Sequence, residues 1–352
     1  MKRIFTKIYA WALLALMIGG VCLAVAFAWS DLDNLIEAVV GAAVSFAAAP
    51  IAHELGHATF AYVNDMEIVY CKCFCFRYYK KDGKQRFGFA NPFAADETQV
   101  LPRGGENMEK RAYAFTIGGL VYGGAYFALL LASTVVCLCL EASAFTVYAS
   151  LPYAAYLFLL NVLPAEYPTG KTDALIARGI KKGNAVERTM LNVMRIHGEL
   201  QSGKSYAEIE EEVYTSAPQI AMDEPLYVAI MDARYRYFLE LEEYEKAFDV
   251  LKRIKAAGEY MTDEEILTLE RDLAYLCLVG GNDEVLKAAV KSGEEYWQSD
   301  DVAIKRTLAL YMTRCGETER AELLTLQAQA LLEKIAVAGQ RKHEEILLSR
   351  IK

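Results

Sequence analysis

Two histidines and a glutamate occupy adjacent helical turns in the pentapeptide His53-Glu54-Leu55-Gly56-His57. Histidines four residues apart project from one face of a helix, where both can bind one Zn²⁺. The glutamate beside the first histidine can take a proton from a water molecule at the metal. The pattern therefore predicts metal-assisted hydrolysis, with His53 and His57 as zinc ligands and Glu54 as the general base.

The pentapeptide lies in a very apolar stretch of the chain. Residues 35–63 contain no lysine or arginine, and their only acidic or histidine side chains are Glu37, His53, Glu54 and His57. Ionisable groups at membrane depth are costly and mark functional sites by default. The setting therefore favours a functional metal site over a chance match to a short motif.

Four apolar stretches indicate a multi-pass membrane protein. Hydrophobic residues make up 54% of the 352 residues, a high share for a soluble protein. Crossing the hydrocarbon core of a bilayer takes roughly 20 residues. The stretches that meet this length are 9–29, 35–63, 113–140 and 144–163.

The basic residues of this half predict its orientation. No lysine or arginine occurs between Lys7 and Lys72, or between Arg111 and Lys171. Segments that carry lysine and arginine stay on the cytoplasmic side of a membrane. We therefore expect a protein of the cell membrane whose N- and C-termini and 64–112 loop are cytoplasmic.

The 64–112 loop is predicted to form a β-hairpin. Residues 68–79 are rich in β-branched and aromatic types, Asp82-Gly83 is a turn signal, and 85–89 can return as the second strand. Cys71, Cys73 and Cys75 alternate, which places them on one face of a strand, where free cysteines usually act as small apolar residues. The predicted first domain, 1–180, is thus an all-α polytopic membrane domain of four transmembrane helices with a cytoplasmic β-hairpin insertion.

The remainder, 181–352, is predicted to be a soluble α-helical repeat domain. Tyr237, Tyr275 and Tyr311 begin similar helix-turn-helix patterns and are spaced 38 and 36 residues apart. This period resembles degenerate tetratricopeptide (TPR-like) repeats, whose faces bind proteins or peptides, although a plain helical bundle fits as well. From Ala174 onward the chain carries 24 Lys+Arg and 32 Asp+Glu, which excludes a basic surface for nucleic acid.

A catalytic zinc usually has three protein ligands, so one is still missing. The fourth apolar stretch ends in Asn161-Val162-Leu163-Pro164, and the chain then passes two carboxylates, Glu166 and Asp173, on the same side of the bilayer as His57. Glu166 has the shorter path but is confined between Pro164 and Pro168, which restrict its backbone. Both carboxylates are candidates, and Asp173 is the favoured one.

With these two motifs in order, the chain resembles the site-2 protease family of intramembrane zinc metalloproteases over about residues 35–175. That family pairs an HExxH helix with a later transmembrane segment carrying Asn-x-x-Pro followed by Asp-Gly. The resemblance implies His53, His57 and Asp173 as zinc ligands, Glu54 as general base, and Asn161 as a residue that holds the substrate backbone. Ala174 follows Asp173, where the family has glycine. Asp173 comes nine positions after Pro164, a longer interval than is usual in the family.

The resemblance implies a zinc metalloendopeptidase that hydrolyses a peptide bond in or near a transmembrane segment of another membrane protein. A second hypothesis is a membrane-anchored scaffold with an inactive or structural zinc site, whose C-terminal repeats bind a protein partner. A third is a membrane zinc peptidase of the prenyl-protein-processing type, although a glutamate on a helix normally supplies its later ligand. An intact Glu54 favours the first hypothesis, because a structural site does not require a general base.

The charge asymmetry gives a direct test of topology. Single cysteines introduced at positions 85 and 345 in a cysteine-free background should resist a membrane-impermeant thiol reagent applied to intact cells, because both positions are predicted to be cytoplasmic. The same cysteines should react once the cells are permeabilised. A cysteine at position 142 lies between the third and fourth apolar stretches, where the predicted topology places it outside the cell, and it should react in intact cells. Labelling of either of the first two positions in intact cells would contradict the predicted orientation.

Overall fold

The computed structural model describes residues 2–81, 84–92, 94, 96–167, 170–282, 284–292 and 294–351. The described chain is mostly helical and carries one small antiparallel sheet. It divides into two compact units. The first unit comprises residues 1–101 and 107–184, and the second comprises 102–106 and 185–352.

The first unit contains four helices long and apolar enough to cross a membrane. They are α1 (Lys2–Ala28), α2 (Leu32–Val63), α3 (Met108–Cys139) and α4 (Phe145–Val162). Many of their large apolar side chains are exposed, including Trp11, Leu16 and Leu138. Such extended apolar surface is expected for helices that face lipid, and the prediction of four apolar helices is confirmed.

Small residues allow these helices to approach closely. A Cβ atom on Gly56 of α2 would lie 2.2 Å from the carbonyl oxygen of Gly118 on α3, and one on Gly41 would lie 2.2 Å from the carbonyl oxygen of Thr146 on α4. Ser45 also donates a hydrogen bond of 2.6 Å from α2 to the Ser150 carbonyl oxygen. Small residues at the contact let the backbones of two helices approach closely in lipid, and glycine does so here for α2 against α3.

The loop between α2 and α3 forms a four-stranded sheet instead of a two-stranded hairpin. Its strands are β1 (Met66–Cys73), β2 (Phe76–Lys81), β3 (Lys84–Phe89) and β4 (Glu97–Pro102), in the order β3-β2-β1-β4. The predicted single strand at 68–79 is wrong, because Phe74 has φ of +52° and turns the chain with Cys75. The Phe74 N–H donates to the Asp96 carboxylate, which holds this turn. Asp82 and Gly83, the predicted turn, lie outside the described residues.

This sheet packs along α2. The Phe74 ring meets the Phe46 ring at 5.7 Å between centroids, and Phe46 in turn contacts Tyr153 of α4. Phe46 lies near the middle of α2, about two helical turns before His53. The β1–β2 turn therefore lies beside the centre of an apolar helix. The sheet packs against the helices and does not extend away from them as a separate loop.

After α4 the chain makes a short excursion before the unit ends. β5 (Glu166–Tyr167) and β6 (Gly170–Lys171) pair as an antiparallel hairpin, and α5 (Asp173–Lys182) follows directly. Pro168, one of the two prolines expected to restrict the backbone of Glu166, lies outside the described residues. Gly183 closes α5 with a left-handed φ of +62°, a conformation in which glycine avoids a steric penalty.

The second unit is built from paired helices. Its first helices are α6 (Ala185–Gln201) and α7 (Glu211–Thr215), with short 3₁₀ turns at Tyr206–Glu208 and Gly258–Tyr260. Three helix pairs follow: α8 (Leu226–Glu240) with α9 (Tyr244–Ala256), α10 (Asp263–Val279) with α11 (Glu284–Ser292), and, after α12 (Glu294–Trp297), α13 (Val302–Arg314) with α14 (Thr318–Leu332). The last helix is α15 (Ala338–Ser349). Residues with positive φ, Glu242, Gly281 and Gly316, stand in the turns of the three pairs.

A buried ion pair joins two helices of this unit. Arg306 of α13 donates to the Glu344 carboxylate of α15 at 2.7 Å, and its guanidinium lies 4.1 Å from the Tyr275 ring centroid. Both charged side chains are almost completely buried. Burial by itself raises the pKa of Glu344, but the Arg306 charge outweighs it and lowers the pKa to about 2. The carboxylate is therefore charged at neutral pH.

Glu344→Gln should lower the free energy of unfolding of the second unit by about 3–5 kcal/mol at pH 7, because it leaves a buried guanidinium without its counter-charge. Since the pKa is lower in the folded state, the pair stabilises above the unfolded pKa of 4.5 and stops doing so as pH falls toward 2. The difference between variant and wild type should therefore shrink over that range.

The measurement is urea unfolding of the full chain in detergent, followed by fluorescence of the buried Trp297 after Trp11 and Trp29 are replaced by phenylalanine. The adjacent Glu345 is exposed, so Glu345→Gln is a matched control that should unfold like wild type. A loss of equal size in both variants would contradict the role of the ion pair.

Candidate metal centre

Three electron-pair donors converge at one point of the first unit. His53 Nε2 and His57 Nε2 lie 3.1 Å and 3.2 Å from Asp173 Oδ2, and 3.3 Å from each other. A cation bound tetrahedrally at about 2.0–2.2 Å from its ligands separates them by roughly 3.3–3.6 Å. The triangle is thus close to the size that one small cation requires. Among the described residues, these three side chains form a group that could hold a metal ion.

The two imidazoles share a helix face because they are four residues apart on α2. His57 is also fixed from its other side, since its Nδ1 lies 2.9 Å from the Phe115 carbonyl oxygen on α3. A carbonyl can only accept, so Nδ1 carries the proton and Nε2 presents its lone pair to the triangle. This is the arrangement by which a second contact fixes the tautomer of a metal-binding histidine.

Glycine on α3 creates the room for the triangle. A Cβ atom on Gly119 would lie 2.4 Å from His57 Nε2 and 2.9 Å from His53 Nε2. Gly123, one turn later, lies beside His53, where a Cβ would be 3.5 Å from Nδ1. Any side chain at position 119 would therefore occupy the space in which the two nitrogens meet.

Asp173 reaches the histidines because the preceding residues are looped out. Thr172 Oγ1 donates to the Leu163 carbonyl oxygen at 2.7 Å and accepts from the Ala165 N–H at 3.1 Å, and the Thr172 N–H donates to the Ala165 carbonyl oxygen. These bonds close the β5–β6 hairpin at its base. The long interval between Pro164 and Asp173 is thus absorbed by the excursion at 166–171, and Asp173 begins α5 next to the end of α4.

The other two residues predicted near the site lie outside the triangle. Glu166 is exposed on β5, opposite Lys171, and is not part of the ligand group. Asn161 is in the last turn of α4 and donates from Nδ2 to the Leu157 carbonyl oxygen at 3.2 Å. The structure therefore brings together His53, His57 and Asp173, and it turns Asn161 back onto its own helix.

Glu54 is buried beside the triangle and is held from the sheet. Thr98 of β4 donates from Oγ1 to Glu54 Oε2 at 2.6 Å. The Glu54 side chain is only 3% exposed, so this hydrogen bond fixes a carboxylate that has little contact with solvent. A carboxylate whose orientation is fixed in this way could act as a base on a nearby water molecule.

The donor set fits a cation. Asp173 Oδ2 is buried, and among the described residues no donor meets it with hydrogen-bond geometry, although two ring nitrogens lie within 3.2 Å. Two imidazole nitrogens and one carboxylate oxygen leave room for a fourth ligand on a tetrahedral ion.

Sequence reasoning missed three contributors to this site. Thr98 is separated from Glu54 by 44 residues, and the carbonyl of Phe115 is a backbone group that every residue type carries. Gly119 contributes through the absence of a side chain, which no search for chemically active residues detects. Its place opposite both histidines depends on the rotation of α3 about its axis.

No protein-family model, curated protein or solved structure matches this chain. The assignment of the site therefore depends on the geometry of the residues themselves.

Asp173→Ala should weaken metal binding by more than about 100-fold, because substitutions of residues that only support a ligand already cost about 10- to 100-fold. Glu166→Ala removes a carboxylate from the same loop outside the triangle and should leave metal content unchanged. The measurement is metal content of the purified full chain by inductively coupled plasma mass spectrometry after dialysis against graded chelator. Retained metal in the first variant with loss in the second would reverse the assignment of the third ligand.

Proposed function

We propose that this protein is a zinc-dependent intramembrane endopeptidase of the site-2 protease type. The observation that carries the proposal is the convergence of His53, His57 and Asp173 on one point, with the Glu54 carboxylate fixed beside it. Zinc suits this donor set because it takes nitrogen and oxygen ligands in a tetrahedral arrangement. When bound, Zn²⁺ supplies polarisation of the scissile carbonyl and lowers the pKa of a coordinated water.

Each side chain has a separate task in this hydrolysis. His53, His57 and Asp173 would hold the ion, and the Phe115 carbonyl keeps the His57 tautomer that can do so. Glu54 takes a proton from the attacking water and later delivers it to the leaving amine nitrogen. Thr98 keeps the Glu54 carboxylate turned toward the reacting water through its 2.6 Å hydrogen bond. Asn161, at the end of α4, is proposed to contact the substrate backbone.

The position of the site suggests the class of substrate. Both histidines lie on an apolar helix that can cross a membrane, so a substrate peptide bond must reach the site from within or beside the bilayer. The proposed substrate is a transmembrane segment of another protein, cleaved near the cytoplasmic leaflet of the cell membrane. A substrate helix must unwind locally there, because a helical peptide bond is hydrogen-bonded and shielded from attack.

The second unit is proposed to bind a protein or peptide partner as a TPR-like repeat module. Its helix pairs α8–α9, α10–α11 and α13–α14 follow one another, and successive pairs pack through α9 with α10 and α10 with α13. Such stacking is how helical repeats build an extended binding face. A cavity of about 810 Å³ lies along α8 and α9, and its mainly apolar lining also carries the charged side chains of Arg234, Lys246, Asp249 and Arg253.

Glu54→Gln should reduce proteolysis by about 10²- to 10⁴-fold, the usual effect of removing a general base. The change preserves size and can still accept the Thr98 hydrogen bond, so expression and metal content should match wild type. The measurement is the rate at which purified protein in lipid vesicles cleaves a library of transmembrane-segment peptides, read by mass spectrometry. Cleavage by the variant at the wild-type rate would refute the protease assignment and favour the scaffold hypothesis.

A further inference from the structure

Two thiols meet on the side of Glu54 that faces the sheet. Cys71 Sγ and Cys73 Sγ of β1 are 3.4 Å apart, and Cys71 Sγ is also 3.4 Å from Thr98 Oγ1. Thr98 Oγ1 is in turn 2.6 Å from Glu54 Oε2. A continuous chain of polar contacts therefore runs from a pair of cysteines to the proposed general base.

We propose that Cys71 and Cys73 form a reversible disulfide that switches the site through Thr98. The two cysteines are a modification site, and Thr98 is the positioning residue that passes the change to Glu54. The disulfide itself does not depend on the function proposed above, whereas its effect on catalysis does.

The backbone around the pair is held in place. Lys72, between the two cysteines, is 3% exposed and donates from Nζ to Asp96 Oδ1 at 2.6 Å and to the Ala94 carbonyl oxygen at 2.7 Å. The Phe74 N–H, just after Cys73, donates to the same Asp96 oxygen. These bonds fix the segment from both sides, so the two thiols remain neighbours on one face of β1.

The pair is chemically suited to oxidation. The contact with Cys73 lowers the pKa of the Cys71 thiol to about 7 against the opposing effect of burial, and the same contact, together with burial, raises the pKa of the Cys73 thiol well above its usual value. A large share of Cys71 is then thiolate at neutral pH, the form that attacks disulfides. Both cysteines also line an open cleft of about 400 Å³ together with Phe76, Arg77, Phe87 and Phe89, which gives a reagent access.

The oxidant is a small-molecule disulfide, RSSR, such as glutathione disulfide. The Cys71 thiolate attacks one sulfur of RSSR, which forms a mixed disulfide and releases RS⁻. In the mixed disulfide Cys71 no longer carries the negative charge that held the Cys73 proton. The Cys73 thiol then gives up this proton, attacks the Cys71 sulfur, closes the Cys71–Cys73 bond and releases the second RS⁻. The two released thiolates take up the two protons of the protein thiols, so RSSR is reduced to two RSH while the dithiol loses two electrons.

Closing this bond changes the surroundings of Thr98. An S–S bond is about 2.05 Å long, so the two sulfur atoms must approach each other by roughly 1.4 Å. The single proton of the Thr98 hydroxyl is donated to Glu54, so in the thiol form the Cys71 S–H is the donor of the contact between Cys71 and Thr98. A disulfide has no S–H, so the Thr98 oxygen loses this donor when the bond forms. With less to hold Thr98, the Glu54 carboxylate loses its fixed orientation, and we expect kcat to fall while KM is unchanged.

The disulfide can be mapped directly. The full-length protein in lipid vesicles is incubated with glutathione disulfide, free thiols are alkylated, and the chain is digested with Asp-N and trypsin. This digestion separates 65–72 from 73–77, because Lys72 lies between the two cysteines. We expect the two peptides to be linked through Cys71 and Cys73 with Cys75 alkylated, and the link to disappear on reduction. Unlinked peptides, or a bond between Cys73 and Cys75, would overturn the proposal.

The effect on the site is measured on the same samples. Oxidation should lower kcat about two- to tenfold, the range expected for loss of one hydrogen bond, and reduction should restore it. Cys73→Ser should abolish this response, and Cys75→Ser, in the adjacent turn, should respond like wild type. A mapped disulfide that leaves kcat unchanged would overturn the switch.

An infrared readout separates this proposal from the proposed function. The difference spectrum between oxidised and reduced protein should contain a carboxyl band that Glu54→Gln removes, whether or not any substrate is cleaved. If no peptide is ever cleaved but this band and the linked peptide are found, the protease assignment fails and the switch stands. A difference spectrum without a Glu54 band would show that the cysteines do not act on Glu54.

Discussion

The close approach of α2 to α3 is the constraint on which the candidate site depends. Gly56 and Gly118 let the two backbones come so near that a Cβ on either residue would collide with the carbonyl oxygen of the other. This separation brings His57 Nδ1 to the Phe115 carbonyl oxygen and places Gly119 opposite both imidazoles. Helices that met through larger side chains would hold the same pentapeptide without fixing a tautomer or leaving a space for an ion.

Part of this arrangement follows from sequence, because it depends on local periodicity. Residues four apart on a helix share a face, so the His53 and His57 pair required no tertiary information. The four apolar helices follow from length and composition in the same way. Asp173, the favoured candidate for the third ligand, lies beside the two histidines. The Thr172 hydrogen bonds that close the β5–β6 hairpin place it there, and they join residues that are not adjacent in sequence.

The features that sequence did not predict depend on unusual backbone or long-range contacts. Phe74 adopts a left-handed conformation that few non-glycine residues take, and nothing in its residue type signals the turn that divides 68–79 into two strands. The Asp96 carboxylate that holds this turn also neutralises Lys72, which is buried in a segment read from composition as an ordinary strand. Thr98 meets Glu54 only because β4 lies beside β1.

Charge accounts for why the three donors can lie so near one another. The two Nε2 atoms are 3.3 Å apart, and if both present unshared electron pairs they repel each other and the carboxylate oxygen of Asp173, unless positive charge lies between them. A proton can bridge only one pair of these atoms at a time, and the hydrogen bond that it makes must be nearly linear. Among the described residues, Asp173 Oδ2 has no donor in such a geometry. A divalent cation attracts all three atoms at once, and its coordination geometry matches the triangle that they form. The three side chains are thus placed so that they could hold a divalent cation, and Glu54, with its hydrogen bond to Thr98, is the neighbouring carboxylate that the charge of such a cation would act on.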